Sequence, residues 1–152
     1  MIKGLYPFGL NHYRSLKFQK LKKLISKNQR KIKVEGAYGS SLSFLLIDIF
    51  SSINQQIFYI SNTKETASYV YSDIVELIGE INCSFLPSNY RSDTKKIKDE
   101  SNIINRSKTI RDILDNETKI IVTYPEAIFE KIPDDKEIDS KTINIEKGQF
   151  LK

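Results

Sequence analysis

The amino-acid sequence predicts an α/β fold, in which a parallel β-sheet carries helices on both faces. Two observations lead to this prediction. Short apolar segments alternate with longer segments whose apolar residues recur at helical spacing, and this order favours parallel strands joined by helical crossovers. The clearest short segment, "KIIVTYP" from Lys119 to Pro125, is continuously apolar at its centre, which is typical of a strand buried on both faces. With 152 residues, 39% of them hydrophobic, the chain fits one domain with a sizeable core.

Each element has its own signal in the sequence. β-Branched and aromatic runs predict strands at residues 31–35, 56–61, 83–87 and 119–125. Apolar residues at helical spacing predict helices at about 13–28, 40–52, 62–79, 102–114 and 125–131, and the polar residues 88–100 are predicted as a loop. The alternating segment that begins at Lys141 resembles the start of a further strand.

Helix ends are predicted from capping residues. Ser40 is the expected N-cap of the second helix, and Asn62 with Glu65 three residues later forms a possible capping box. Gly79 is expected to end the helix that follows. The helix over 102–114 is predicted to bury one face, formed by Ile103, Ile104, Ser107, Ile110 and Leu114.

Charge divides the chain unevenly. The net charge of +5 and the pI of about 9.2 favour anionic partners. The positive charge is concentrated in a stretch without acids, consisting of Lys17, Lys20, Lys22, Lys23, Lys27, Arg30, Lys31 and Lys33. One interpretation is a nucleic-acid contact, with Lys22 and Lys23 as candidate residues. The other is the solvated face of an amphipathic helix, which the absence of interleaved aromatic residues favours.

Several kinds of site are disfavoured by composition. Cys83 is the only cysteine and His12 the only histidine, so the chain cannot form an internal disulfide or assemble a standard zinc site. No apolar run reaches 18 residues, and the N-terminus lacks the apolar region of a secretory signal. We therefore expect a cytoplasmic protein with no membrane partner.

The stretch "VEGAYGSSLSFLL" from Val34 to Leu46 has the outline of a phosphate-binding loop. Such a loop needs a glycine-rich turn after a strand, a lysine for the phosphates and a Ser or Thr for magnesium. Gly36 matches the first glycine and Ser43 the hydroxyl, but Ser41 replaces the second glycine and Leu42 replaces the lysine. We predict a degenerate loop, formed by Gly36, Gly39, Ser40, Ser41, Leu42 and Ser43, that binds no cofactor.

Ligands of parallel sheets bind at the carboxyl ends of the strands. The glycine turn is expected at that edge, together with Ser61, Pro87 and residues 123–125. Arg91, which follows "PSNY", is a plausible anion contact in the same region.

An ordered set of segments resembles a known family. "EGAYGSSLSFLLIDIF", "FLPSNYR", "NIINRSKTIRDIL", "IIVTYPEAIFEKI" and "TINIEKGQFL" are similar to the N-terminal, UvrB-like module of bacterial transcription-repair coupling factors, the Mfd family. The resemblance covers residues 31–152. It implies a helicase-like, three-layer fold like the first domain of UvrB, with a degenerate phosphate loop.

The resemblance also implies a division of the chain and a role. A basic helical segment (residues 1–30) precedes a UvrB-like subdomain (31–140) and the start of a truncated second subdomain (141–152). The full-length parent displaces stalled RNA polymerase, recruits UvrA and moves along DNA, using ATP and magnesium in motor domains that this N-terminal module restrains. The segment that would hold the UvrA contacts lies beyond Lys152, so no contact residue is assigned and no catalytic residue is expected.

Two other functions stay open at this point. Gly36, Gly39 and Ser43 would serve an active P-loop-type nucleotide-binding protein. The basic stretch would serve a small nucleic-acid-binding domain.

Overall fold

The computed structural model describes residues 16–27, 30–91, 94–98 and 100–132. In chain order its elements are α1 (Leu16–Ser26), α2 (Ser40–Ile53), β1 (Ile57–Ile60), α3 (Lys64–Ile78), β2 (Cys83–Phe85), β3 (Tyr90–Arg91), β4 (Thr94–Lys98), α4 (Glu100–Leu114), β5 (Ile120–Thr123) and α5 (Pro125–Ile128), with a 3₁₀ turn (Glu80–Asn82) before β2. The predicted strand after Lys141, His12 and the predicted domain boundary at residue 140 lie outside these residues.

The central sheet is parallel, as predicted. Its strand order is β1-β5-β2, and Ile120 of β5 is in register with Ile57 of β1 and Cys83 of β2. All four residues of β5 are buried. The continuous apolar run therefore identified the strand that has neighbours on both sides and helices above and below.

Helices pack on both faces of this sheet. On one face α2 and α3 bury Ile47, Phe50 and Ile74 against Ile120 and Val122. On the other face α4 places Ile110 against Ile121 and Leu86. The α/β architecture with flanking helices is thus present, in the form of a small open sheet of three strands.

Two predicted segments differ from the structure. Residues 31–35 form no strand, although lysines alternate with Ile32 and Val34 there. Val34 is 48% exposed, so the alternating pattern does not correspond to a buried face. Conversely, the segment 88–100 contains an antiparallel ribbon of β3 and β4. The longer strand, β4, has the sequence TKKIK with one apolar residue, so it resembles a polar loop and carries no apolar alternation.

Two predicted N-caps are wrong by one residue, and one predicted helix end is confirmed. Thr63, not Asn62, caps α3, because its side chain accepts a hydrogen bond from the Thr66 amide at 3.2 Å. Gly39 precedes α2, so Ser40 is already helical and makes no cap bond. Gly79 ends α3 as predicted, with φ of 81°, a conformation that favours glycine.

The buried face of α4 was predicted correctly for Ile110 but not for Ile104 or Leu114. Ile104 is 68% exposed and Leu114 is 41% exposed, whereas Arg106 and Thr109 are buried beside Ile110. Thr109 Oγ1 donates to the Phe85 carbonyl at 2.8 Å. The helix has rotated toward polar partners at the edge of the sheet, which a count of apolar residues along the helix could not predict.

A polar cluster holds the other end of α4 against the sheet. The Lys119 ammonium lies 3.0 Å from Asp112 and 3.7 Å from the more exposed Glu117. Asp112 also accepts a hydrogen bond from Ser84 Oγ at 2.7 Å. Lys119 is only 9% exposed, and its ion pair with Asp112 offsets the loss of hydration of the ammonium group.

We expect the Cys83 thiol to be unreactive in the folded protein. The side chain is 2% exposed, and burial raises its pKa to about 12, so the nucleophilic thiolate is scarce at pH 8. Titration with Ellman's reagent at pH 8 should be slow in buffer and fast in denaturant. Equal rates under the two conditions would contradict the burial of β2.

Candidate functional site

The glycine turn leads directly into α2. Gly36 and Gly39 have φ values of 86° and 54°, so both positions need glycine's freedom. The turn is closed by Ser41, whose Oγ accepts from the Tyr38 amide at 2.8 Å and donates to the Tyr38 carbonyl at 2.6 Å. Because residues 31–35, which lead into it, form no strand, this turn lacks the strand-to-helix geometry of a phosphate-binding loop.

The rest of the degenerate loop is engaged in packing. Ser43 is fully buried, and its Oγ donates to Asp73 Oδ2 on α3 at 3.1 Å. Leu42 is half-buried and packs against the core formed by α2, α3 and the sheet. The hydroxyl that a phosphate-binding loop would offer to magnesium therefore joins two helices.

The carboxyl ends of the three parallel strands meet as predicted. The Ser61 amide donates to the Thr123 carbonyl at 2.8 Å, and the Leu86 amide donates to the Val122 carbonyl at 2.9 Å. Thr123 Oγ1 adds a bond to the Leu86 carbonyl at 3.0 Å. The ends of β1, β5 and β2 are thus tied together, and the loop from Pro87 begins at this edge.

Arg106 of α4 is the centre of this edge. It is 2% exposed, and its guanidinium donates to the carbonyls of Pro87 and Ala127, each at 2.9 Å. It also bonds the Glu130 carbonyl at 3.3 Å and lies 3.6 Å from the Glu130 carboxylate. Burial lowers the pKa of Arg106, and Glu130 opposes that shift. The flat, five-donor group joins α4, the Pro87 loop and the α5 region.

Glu130 fixes the loop that follows β2. Its carboxylate accepts from Ser88 Oγ, and both oxygens lie 3.1 Å from the Asn89 amide. The Tyr124 hydroxyl accepts from the Ser88 amide at 2.8 Å, and burial is the main cause that raises the pKa of Tyr124. We call Ser88, Asn89, Arg106, Tyr124 and Glu130 the carboxyl-edge network.

The carboxyl-edge network serves positioning. Its charged groups bond one another and backbone atoms, and these bonds tie α4, the Pro87 loop and the α5 region together. Sequence reasoning missed Arg106 and Glu130, because charged residues are rarely buried and neither stands in a recognised motif. The only available signal was helical spacing. Arg106 precedes Thr109 and Ile110 by three and four residues, which places all three on the same face of the helix.

Of the three predicted basic contacts, one already has an acidic partner. Lys22 lies 3.4 Å from the buried Asp48 on α2. Burial raises the pKa of Asp48, and Lys22 opposes that shift. Lys23 is exposed in the last turn of α1. The backbone of Arg91 lies in β3, while its side chain is outside the described part of the chain.

Two other kinds of site are absent from the described residues. No described helix is both long and apolar enough to cross a bilayer. Within the described ranges, no group of three or more His, Cys, Asp or Glu residues is placed to hold a metal ion.

Comparisons of the chain with protein-family models and with curated proteins gave no match.

Proposed function

We propose that this chain is the non-catalytic N-terminal module of a transcription-repair coupling factor, working in transcription-coupled nucleotide excision repair through protein contacts. One observation carries the proposal. The two segments most specific to the family resemblance, and a third segment of the same set, converge at the carboxyl-edge network. "FLPSNYR" supplies Ser88 and Asn89, "NIINRSKTIRDIL" supplies Arg106, and "IIVTYPEAIFEKI" supplies Tyr124 and Glu130.

Such convergence supports a shared fold. Segments far apart in sequence resemble the family together, and their resembling residues bond one another. A common structural requirement explains this better than chance similarity of single motifs. We accordingly propose that the small parallel sheet corresponds to the first subdomain of a UvrB-like, helicase-type architecture with a degenerate phosphate loop.

The non-catalytic role is supported by the glycine turn. Ser43 is bonded to Asp73, and Leu42 stands where a phosphate-binding lysine is needed. In this proposal ATP and magnesium bind in motor domains of the full-length parent. RNA polymerase, UvrA and DNA are contacted by that parent in the cytoplasm, and this module makes intramolecular contacts with the motor.

Strand-specific repair tests the proposed role. Deletion of the encoding gene in the source cell should equalise the repair rates of transcribed and non-transcribed strands after ultraviolet irradiation. Reintroduction of the gene should restore faster repair of the transcribed strand. Faster repair of that strand in the deletion strain would overturn the proposal, as would an absence of helicase motifs in every frame downstream of the Lys152 codon.

The nucleotide-binding alternative has its own test. Leu42→Lys restores the missing charge, but we expect no ATP binding because Ser43 stays bonded to Asp73. The variant should also lose up to about 3 kcal/mol of stability, since the new charge is partly buried without a partner. Titration with a fluorescent ATP analogue and magnesium to about 1 mM checks binding.

Tyr38→Lys is the matched control for this variant, since Tyr38 lies in the same turn and is 83% exposed. It adds the same charge without disturbing the core, so its stability should stay within about 0.5 kcal/mol of the wild type. Saturable ATP binding by Leu42→Lys alone would show that the turn keeps a phosphate-binding shape.

The nucleic-acid-binding alternative is weaker, since Lys22 is already paired with Asp48.

A further inference from the structure

The two edges of the parallel sheet are finished differently. At the β2 edge, two of the outward backbone groups have partners. The Cys83 amide donates to the Glu80 carbonyl of the 3₁₀ turn, and the Phe85 carbonyl accepts from Thr109 Oγ1 of α4. Neighbouring elements thus occupy part of this edge, which hinders pairing with a further strand.

The β1 edge is open within the described part of the chain. The Ile57 amide donates to the Lys119 carbonyl, just before β5, at 3.0 Å, and the Ser61 amide donates to the Thr123 carbonyl at 2.8 Å. Because successive residues of a strand face opposite sides, Phe58 and Ile60 direct their backbone groups away from β5. No hydrogen bond among the described residues reaches those groups.

The side chains of the same two residues are exposed as well. Phe58 is 48% exposed and Ile60 is 54% exposed, while Ile57 and Tyr59 pack toward α2 and α3. Phe58 and Ile60 therefore share the opposite face of the sheet, beside an unpaired backbone edge. An added strand would satisfy the backbone and cover these apolar side chains together.

Charge does not protect this edge. Natural edge strands commonly carry lysine, proline or inward charges that prevent pairing. No Asp, Glu, Lys, Arg or Pro stands between Asp48 and Lys64. An identical strand therefore meets no like-charge repulsion here, and a charged foreign strand would gain no ion pair.

We propose that β1 pairs in antiparallel orientation with β1 of a second copy of this chain. With the two-fold axis at Tyr59, Phe58 of each copy faces Ile60 of the other, and each such pair exchanges two N–H···O bonds. Antiparallel pairing about this axis keeps the same face up in both copies, so the Phe58 and Ile60 side chains form one apolar cluster. The two three-stranded sheets become one continuous sheet. This dimer does not depend on the proposed repair role.

Sedimentation equilibrium of the full chain from about 1 to about 500 µM tests the proposal. We expect a reversible monomer–dimer equilibrium. Ile60→Lys should weaken it at least about tenfold, because it removes the apolar contact with Phe58 of the other copy and places two like charges on diagonal positions about 7–8 Å apart. Ile104→Lys is the matched control, since Ile104 is 68% exposed on α4, and it should dimerise like the wild type.

Amide hydrogen exchange locates the interface independently. The amides of Phe58 and Ile60 should exchange more slowly as protein concentration rises, and Ile60→Lys should abolish that dependence. Thermal unfolding followed by circular dichroism establishes that both variants are folded.

Three results would overturn the proposal. The first is a wild-type chain that stays monomeric at the highest concentration, and the second is an Ile60→Lys variant that dimerises as tightly as wild type. The third is slow exchange of Phe58 and Ile60 at every concentration, which would mean that another part of the same chain occupies this edge.

Discussion

Replacement of Arg106 by methionine is expected to destabilise the fold by about 3–5 kcal/mol, the usual effect of removing one partner from a buried ion pair. The variant keeps the aliphatic bulk but loses the donors to the carbonyls of Pro87 and Ala127. It also leaves the Glu130 carboxylate without its cation, with its side chain only 15% exposed. Urea unfolding followed by circular dichroism measures the loss.

Lys108→Met is the matched control for the Arg106 variant. Lys108 is exposed on the same helix, so its replacement should change the free energy of unfolding by less than about 0.5 kcal/mol. Glu130→Gln combined with Arg106→Met should lose less stability than the two single losses added together, because each removes the same interaction. Strict additivity, or a small effect of Arg106→Met, would show that the carboxyl-edge network does not hold the edge together.

Ile47→Ala is expected to destabilise the protein by about 2–5 kcal/mol, because it opens a cavity in a fully packed region. Ile47 is completely buried where α2 meets α3 and the sheet. The size of this loss measures how much the packing of α2, the helix that follows the glycine turn, contributes to the stability of the core. If only a bound ligand held α2 in place, Ile47→Ala would leave the free energy of unfolding almost unchanged.

Ile104→Ala provides the comparison at an exposed isoleucine, with an expected change within about 0.5 kcal/mol. A similar small loss for Ile47→Ala, measured by the same urea unfolding, would place α2 outside the cooperative core.

The strands and helices of the core could be predicted because their signals are local. The apolar run of β5 identified a strand buried on both faces, and the glycine at 79 identified the end of α3. Periodicity failed where burial did not follow hydrophobicity. In α4 the buried Arg106 and the exposed Ile104 reversed the expected order, because partners on other elements satisfy the guanidinium.

The glycine turn shows the same division. Comparison of residues alone established that Leu42 and Ser41 had replaced the lysine and the second glycine of a phosphate-binding loop. It could not establish that residues 31–35 form no strand, because strand formation depends on a partner elsewhere in the chain. Nor could it predict that Asp73 accepts a hydrogen bond from Ser43, since the two residues lie on different helices.

By itself the sequence determined the α/β class, the central strand and most helix positions, and it placed Leu42 where a phosphate-binding loop has its lysine. These properties depend on hydrophobic periodicity, on glycine's backbone freedom and on which functional groups are present. Only the tertiary structure decided that Arg106 and Glu130 hold the carboxyl ends of the strands. It also decided that, among the described residues, the outer edge of β1 lacks partners whereas part of the β2 edge has them. Burial of a charge and pairing of a strand depend on partners distant in sequence, and those partners come together only in the folded chain.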